Sequence, residues 1–394
     1  MPDFEEKDLF RLAKRHHNTK RTYLLVDPLQ GKHMPVSPAA CLTMLHTLGD
    51  KLREKYPGPT LVVGFAETAT AVGAAVAECF GRDCFYIHTT REDLEGVGEW
   101  IIFEEEHSHA TEQKMAAAPF EENLSGVENV IFVDDEISTG KTLMNMMEKL
   151  RVRFPGLEGK KIVAASVINR LSDENEGLMN SAGIICESLL RLENIDYSES
   201  VAPIEIDEPR ELEFTALEDY EERERSRNGF FVYLDGISRR KCPEMQRGFR
   251  TGMRIGDYLD KLFDFYPDYA IAPEYVKPTL GADLLVLGTE ECMYAGLKIA
   301  EKLENSGLFK KVSFHATTRS PIGVSSEKGY PITVGYKLPS LYDGGRTTFV
   351  YDLKKYDGVL IVTDAEELDM KNAEYLAGVL KYAGVRKRVE MVVI

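Results

Sequence analysis

The chain has six cysteines and one tryptophan among 394 residues. Cys41, Cys79, Cys84, Cys186, Cys242 and Cys292 form no C-x-x-C pair and no other metal-ligand spacing. They read as reduced, partly buried thiols, which argues against a disulfide scaffold or a cysteine-bound zinc. No apolar stretch approaches the roughly 20 residues needed to span a bilayer, and the opening Met-Pro-Asp-Phe-Glu-Glu has no signal-peptide pattern. The expected location is therefore the cytoplasm, with no membrane partner. Positive charge is also scarce: 48 Lys and Arg face 65 Asp and Glu, a net charge of −17. That balance argues against nucleic acid as the main ligand, because phosphate backbones are held by clustered cations. Any phosphate site here must rely on local amides, a few cations and metal. The length favours two domains, each able to bury a core.

What the chain does have is the run V-I-F-V-D-D-E-I-S-T-G-K-T, Val130 to Thr142. Four apolar residues in a row suit a parallel strand covered on both faces. Two acids, Asp134 and Asp135, end it. A turn of small and hydroxyl residues follows and opens a helix at about Thr142. Free amides at a helix start, together with the helix dipole, suit a phosphate; the acids suit ribose hydroxyls or a bridging cation. Gly140-Lys141-Thr142 ends like a Walker A loop, but that motif needs a glycine where Asp135 stands. A strand followed by an unrelated acidic turn is the bland alternative. Position by position, the thirteen residues resemble the phosphoribosyl-pyrophosphate (PRPP) signature of the type I phosphoribosyltransferases.

Around this run the first half alternates strands and helices. Strands are expected at Thr22–Val26, 61–64, 84–88, 161–167 and 183–189. Ser37-Pro38 opens a long helix, and Thr68 caps a small-residue helix. The opening residues to His17 read as an amphipathic helix. The fold class is α/β: a doubly wound parallel sheet with ligands at the carboxyl ends of its strands, then a second α/β domain. The expected division is a first domain at 1–204, a charged linker at 205–228 and a second domain at 229–394. The second domain reads as a worn copy of the first. Leu284 to Glu290 echoes Leu61 to Glu67, His315 to Arg319 echoes His88 to Arg91, and Val359 to Asp364 echoes the signature strand without its phosphate turn.

The resemblance implies roles residue by residue. PRPP would be bound by Asp134, Asp135, Ile137, Ser138, Thr139, Gly140, Lys141 and Thr142, with Asp134 and Asp135 also meeting Mg²⁺. Phe65, Ala66, Glu67 and Thr68 occupy the place of the pyrophosphate loop, though many relatives carry Lys or Arg where Glu67 stands. Arg91 could supply that charge. Trp100 to Gln113 has the position of the loop that closes over the reactants, so His107 or His109 is a candidate acid–base group; a metal site with Glu104–Glu106 and an exposed polar loop are the other readings. Leu29 to Pro35 is the candidate hood over the base. Arg239-Arg240-Lys241 and the segment 247–252 form the main local positive cluster.

The first domain is similar to orotate-type phosphoribosyltransferases. The whole chain resembles two-domain proteins with a TRSP domain, whose tetrapeptide stands here as Thr318-Arg319-Ser320-Pro321. Such proteins are associated with bacterial tellurite-resistance-type operons and the making of a nucleoside-like compound. The resemblance implies a PRPP- and Mg²⁺-dependent transferase acting on a small-molecule acceptor, with a homodimer and operon-encoded enzymes as candidate partners. A regulator that binds PRPP or a nucleotide without turnover is the alternative. In the second domain Thr317, Thr318, Arg319 and Ser320 form a candidate anion site; the competing reading pairs Arg319 with an acid such as Asp364.

Overall fold

The computed structural model describes residues 2–16, 18, 21–103, 113–213, 231–238, 243–265, 281–386 and 388–394. Its strands, numbered in chain order, begin with β1 (Arg11–Lys14), β2 (Tyr23–Val26), β3 (Thr60–Gly64), β4 (Phe85–His88), β5 (Trp100–Phe103), β6 (Gln113–Ala116), β7 (Asn129–Ile137), β8 (Lys161–Asn169) and β9 (Ile184–Arg191). Then come β10 (Phe231–Ser238), β11 (Met253–Arg254), β12 (Asp283–Gly288), β13 (Lys311–Ala316), β14 (Gly335–Pro339), β15 (Thr347–Tyr351), β16 (Gly358–Thr363) and β17 (Arg388–Val393).

The chain forms two compact units. The first takes 1–9, 42–195 and 247–261; the second takes 10–41, 196–246 and 262–394. The first unit holds a six-stranded sheet in the order β11-β4-β3-β7-β8-β9, parallel except where β11 joins β4. Val130 to Val133 are at most 1% exposed, as a strand covered on both faces requires. Helix Ala69–Cys79 is buried from Ala69 to Ala77, and its small residues let it lie close to the sheet. A Cβ on Gly73 would stand 3.1 Å from the Gly64 Cα.

The second unit holds a parallel five-stranded sheet in the order β10-β17-β16-β12-β13. Register aligns it with the first. Gly64 pairs with His88 and Val133; Gly288 pairs with Ala316 and Val362. The order β4-β3-β7-β8-β9 thus reappears as β13-β12-β16-β17-β10, with β10 supplied from earlier in the chain. Each unit inserts an antiparallel hairpin, β5-β6 or β14-β15, after the second of these strands. Each hairpin is rooted by one bridge, Thr90 to Lys114 or Thr318 to Phe349. The glycine contact recurs as well, since a Cβ on Gly296 would lie 3.3 Å from the Gly288 Cα.

Four expectations change. The opening residues form a helix only over Glu6–Leu9, and Arg11–Lys14 pairs with β2 as a strand. The Leu29 to Pro35 segment is packed within the second unit, with Gln30, Lys32 and His33 buried, so it does not behave as an open hood. The described part of the charged stretch, 205–213, is built into the second unit: Asp207 bridges Val324, and Leu212 exchanges hydrogen bonds with the Tyr375 hydroxyl. The compact units therefore do not follow a cut at residue 204. The segment 247–252 joins the first unit with Phe249 and Arg250 buried, while 239–242 lies outside the described residues.

Candidate functional site

β7 does not stop at its apolar run. It continues through Asp134, Asp135 and Glu136 to Ile137, because β8 continues beside it with Asp134 opposite Ser166 and Ile137 opposite Asn169. Both aspartates are partly exposed at this end of the sheet. Asp134 Oδ1 accepts from the Asp135 amide at 2.9 Å. Beneath them Arg170, 1% exposed, donates to Glu136 at 2.9 Å and through its backbone to Ile137, fixing the strand extension.

The turn Ser138–Gly140 then enters helix Lys141–Arg153. Its N-cap residue is Gly140, left-handed at φ 71°, and no side chain caps the helix. A Cβ on Gly140 would meet Met179 Sδ at 2.4 Å, so the position takes only glycine without rearrangement. Thr139 Oγ1 accepts from the Lys141 amide at 3.4 Å, and beyond it the 13-residue helix has no side chain at Gly140 to cap its first turn. Ser138, Thr139, Gly140 and Thr142 are partly exposed and Lys141 is exposed, as a ligand-facing turn should be.

The loop Phe65–Thr68 leaves the neighbouring strand β3. The Phe65 amide donates to Val133 O, which ties the loop to β7. The Ala66–Glu67 peptide is cis. The Ala66 amide donates to Thr89 Oγ1 at 2.8 Å, and the Thr89 hydroxyl donates to Gln113 Oε1 at 2.5 Å. One buried threonine therefore joins the loop, the end of β4 and the root of the β5-β6 hairpin. Neither Thr89 nor Gln113 was singled out by sequence; the H-T-T-R segment was visible, but its anchoring role needs a partner 24 residues away. Glu67 is buried. Thr68 precedes helix Ala69–Cys79 without a side-chain capping bond. Arg91 stands just past β4, partly exposed, on the strand beside the loop. The structure thus gathers Phe65–Thr68, Arg91, Asp134–Asp135 and the 137–142 turn at the carboxyl ends of three adjacent strands. His107 and His109 lie outside the described residues.

In the second unit the strand ends also converge. Glu290, at φ 47° and 1% exposed, receives Arg319 Nε at 2.7 Å and the Ser340 hydroxyl at 2.5 Å. Arg346 Nε lies 3.4 Å from the same carboxylate, and Arg319 lies 3.6 Å from Glu291. Arg319 thus pairs with the acids Glu290 and Glu291, in keeping with the competing reading of an Arg319–carboxylate pair. Asp364 instead accepts from the Tyr342 hydroxyl at 2.6 Å. Thr317 Oγ1 accepts from the Glu290 amide, Thr318 Oγ1 from the Ser320 amide. Lys32, fully buried, donates to the carbonyls of Glu290 and Thr317 at 3.2 Å each. Ser340 was missed by sequence, and Lys32 was read as part of the hood over the base, because both reach this point from distant segments.

Residues 9–192 match the family model described as phosphoribosyl transferase, and 270–380 match the TRSP domain C-terminal to it. A xanthine phosphoribosyltransferase of Brevibacillus brevis is 23% identical over 148 residues, 38% of this chain and 74% of that protein. Among solved structures, the orotate phosphoribosyltransferase of Mycobacterium tuberculosis is 16% identical and covers 47% of this chain and 89% of its own, with a TM-score of 0.30. The adenine phosphoribosyltransferase of Giardia lamblia is 17% identical and covers 47% and 94%, with a TM-score of 0.36. The first half of the chain is thus similar to phosphoribosyltransferases, and the domain that follows it is similar to the TRSP domain found C-terminal to that family.

Proposed function

We propose that the first unit transfers ribose 5-phosphate from PRPP to a base or base-like acceptor and releases pyrophosphate. The observation that carries this is the Gly140 N-terminus, a helix start whose N-cap residue has no side chain, beside Asp134 and Asp135. Amides from Ile137 to Thr142 hold the 5′-phosphate, and Lys141 adds charge. Asp134 and Asp135 orient the ribose 2′- and 3′-hydroxyls. The Phe65–Thr68 loop and Arg91 take the pyrophosphate, whose charge grows as the bond to C1′ breaks. This arrangement positions the reactants and stabilises the leaving group without a covalent intermediate on the protein.

The donors also fit Mg²⁺. Two adjacent carboxylates are hard oxygen ligands, and Mg²⁺ is commonly held by one or two carboxylates with substrate oxygens and water completing the shell. Asp134 and Asp135 would hold the ion together with oxygens of PRPP. When bound, it would neutralise the pyrophosphate oxygens.

The test is pyrophosphate release with PRPP, Mg²⁺ and a panel beginning with xanthine, orotate and adenine. Turnover with one acceptor is expected. PRPP binding without turnover on any acceptor would favour a regulator, and no PRPP binding would remove both readings. Asp134→Asn with Asp135→Asn is expected to weaken PRPP binding at least a hundredfold in calorimetry while the melting temperature holds. Wild-type affinity in that variant would end the ribose assignment.

A further inference from the structure

The two units share a scaffold but differ at the positions where a phosphorylated sugar would place its oxyanions. Counting from the paired strand residues Val133 and Val362, Asp135 falls on Asp364 and Gly140 on Asp369. The helices that follow start at Lys141 and Met370, in the same step. At the first, glycine has no side chain to cap the helix, and of its opening amides Lys141 donates to Thr139 Oγ1 at 3.4 Å. At the second, the Asp369 carboxylate accepts from the amides of Lys371 at 2.9 Å and Asn372 at 3.4 Å. A carboxylate of the chain sits where a phosphate would sit. The turn leading to it, Ala365-Glu366-Glu367-Leu368, has replaced Glu136-Ile137-Ser138-Thr139 and adds negative charge.

The loop position changes in the same sense. Counting from Gly64 and Gly288, Ala66 falls on Glu290; counting from His88 and Ala316, Arg91 falls on Arg319. The backbone frame is retained. Thr89 donates its amide to Gly64 O at 2.9 Å and accepts from the Ala66 amide; Thr317 donates to Gly288 O at 3.0 Å and accepts from the Glu290 amide. On this common frame alanine has become glutamate. Its carboxylate takes Arg319, Arg346 and Ser340, donors that suit an oxyanion. Ser340 and Arg346 flank the turn of the β14-β15 hairpin, and Tyr342 in that turn bonds Thr289 and Asp364. The hairpin turn is thus fastened over its own strand ends.

We propose that the second unit is a self-filled phosphoribosyl site: Asp369 and Glu290 stand in for ligand oxyanions, so each chain has one site for a phosphorylated sugar. The same correspondence, resting on the reading of the first unit given above, makes Arg91 the pyrophosphate-binding cation. Its counterpart Arg319 holds the Glu290 carboxylate, which stands at the position of Ala66. The second unit thereby displays, with its own side chains, where the first unit's ligand charges belong.

The experiment uses the full chain carrying Asp134→Asn and Asp135→Asn, with PRPP, inorganic pyrophosphate and inorganic phosphate as probes in calorimetry and thermal melting. PRPP binding at least a hundredfold weaker than wild type is expected from this background, and its own melting response to each anion, from the intact first-unit turn, is the baseline for the variants built on it. Adding Asp369→Gly reopens the helix start, and adding Glu290→Ala instead frees Arg319 and Arg346. Each should melt lower than the background and regain several degrees in millimolar phosphate or pyrophosphate, while Asp369→Asn, which keeps a capping oxygen, should not respond. Residual PRPP binding that Arg319→Ala abolishes would overturn the proposal, as would anion-independent melting in both opened variants. If the wild-type chain binds no PRPP, the reading of the first unit fails; anion rescue in the opened variants still decides the second.

Discussion

At position 140 a single hydrogen decides whether the phosphate turn can exist. The left-handed backbone and the 2.4 Å approach to Met179 Sδ act together against any side chain. Gly140→Ala should cost about 2 kcal/mol, combining the left-handed penalty with a displaced methionine. Denaturant unfolding with and without PRPP would measure both stability and affinity, and both should fall. His33 shows a different residue-scale effect. It is 3% exposed, neither ring nitrogen has a hydrogen-bond partner among the described residues, and burial, with Lys32 next, pushes its pKa down to about 3. An unfolded imidazole titrates near 6.5. As pH falls from about 6.5 towards 3, the unfolded chain gains a proton that the folded chain refuses, so stability drops. It is fully present above 6.5. The slope from this group approaches about 1.4 kcal/mol per pH unit, and His33→Phe should flatten urea-measured stability between pH 6.5 and 4.5 relative to wild type. An equal slope in the two proteins would clear His33 of that role.

At the scale of elements, what the sequence disclosed and what it hid have separate physical causes. The parallel strands were legible because burial on both faces writes itself as unbroken apolar runs, as in Val130 to Val133. Helix Lys141–Arg153 was legible from its turn chemistry. The far half of β7 was not, since Asp134 to Ile137 owe their strand conformation to β8 rather than to their own polarity. Nor was β1: Ala13 is buried with Ile322 and Tyr351, residues more than 300 positions away. The echo of H-T-T-R was seen, but register sets His88 against Ala316, one residue beyond His315. The coupling of loop to hairpin through Thr89 also escaped sequence, and it yields a prediction. Thr89→Val keeps the shape and strips the hydroxyl from both the Ala66 amide and Gln113. Leaving those buried groups unsatisfied costs about 1–3 kcal/mol. The variant should raise the KM for PRPP more than it lowers the melting temperature; unchanged kinetics would make the threonine a packing residue only.

For the whole molecule, the chain does not complete one unit before starting the other. Residues 10–41 belong to the second unit, while 247–261 return to the first. The returning segment adds β11 to the edge of β4 and brings Phe249, whose ring stands 4.0 Å from Tyr258 and 4.7 Å from Tyr86. Arg82 donates to Gly256 O at 3.2 Å and pairs with Asp260. A fragment of residues 1–204 has the whole signature run but lacks this cover, so the edge of β4 and one face of Tyr86 lose their partners. It also carries β1 and β2 without Ile322, Phe349 and Tyr351, which share their buried cluster. Removing one buried aromatic side chain typically costs about 3–5 kcal/mol, a large share of the roughly 5–15 kcal/mol that holds a domain folded. The fragment is therefore expected to lack a cooperative melt, and Phe249→Ala in the full chain to lose about 3–5 kcal/mol. Calorimetric melting with limited proteolysis reads both. A fragment that melts cooperatively at the full chain's temperature would mean that the exchanged segments are decoration and that the first unit is complete at residue 204.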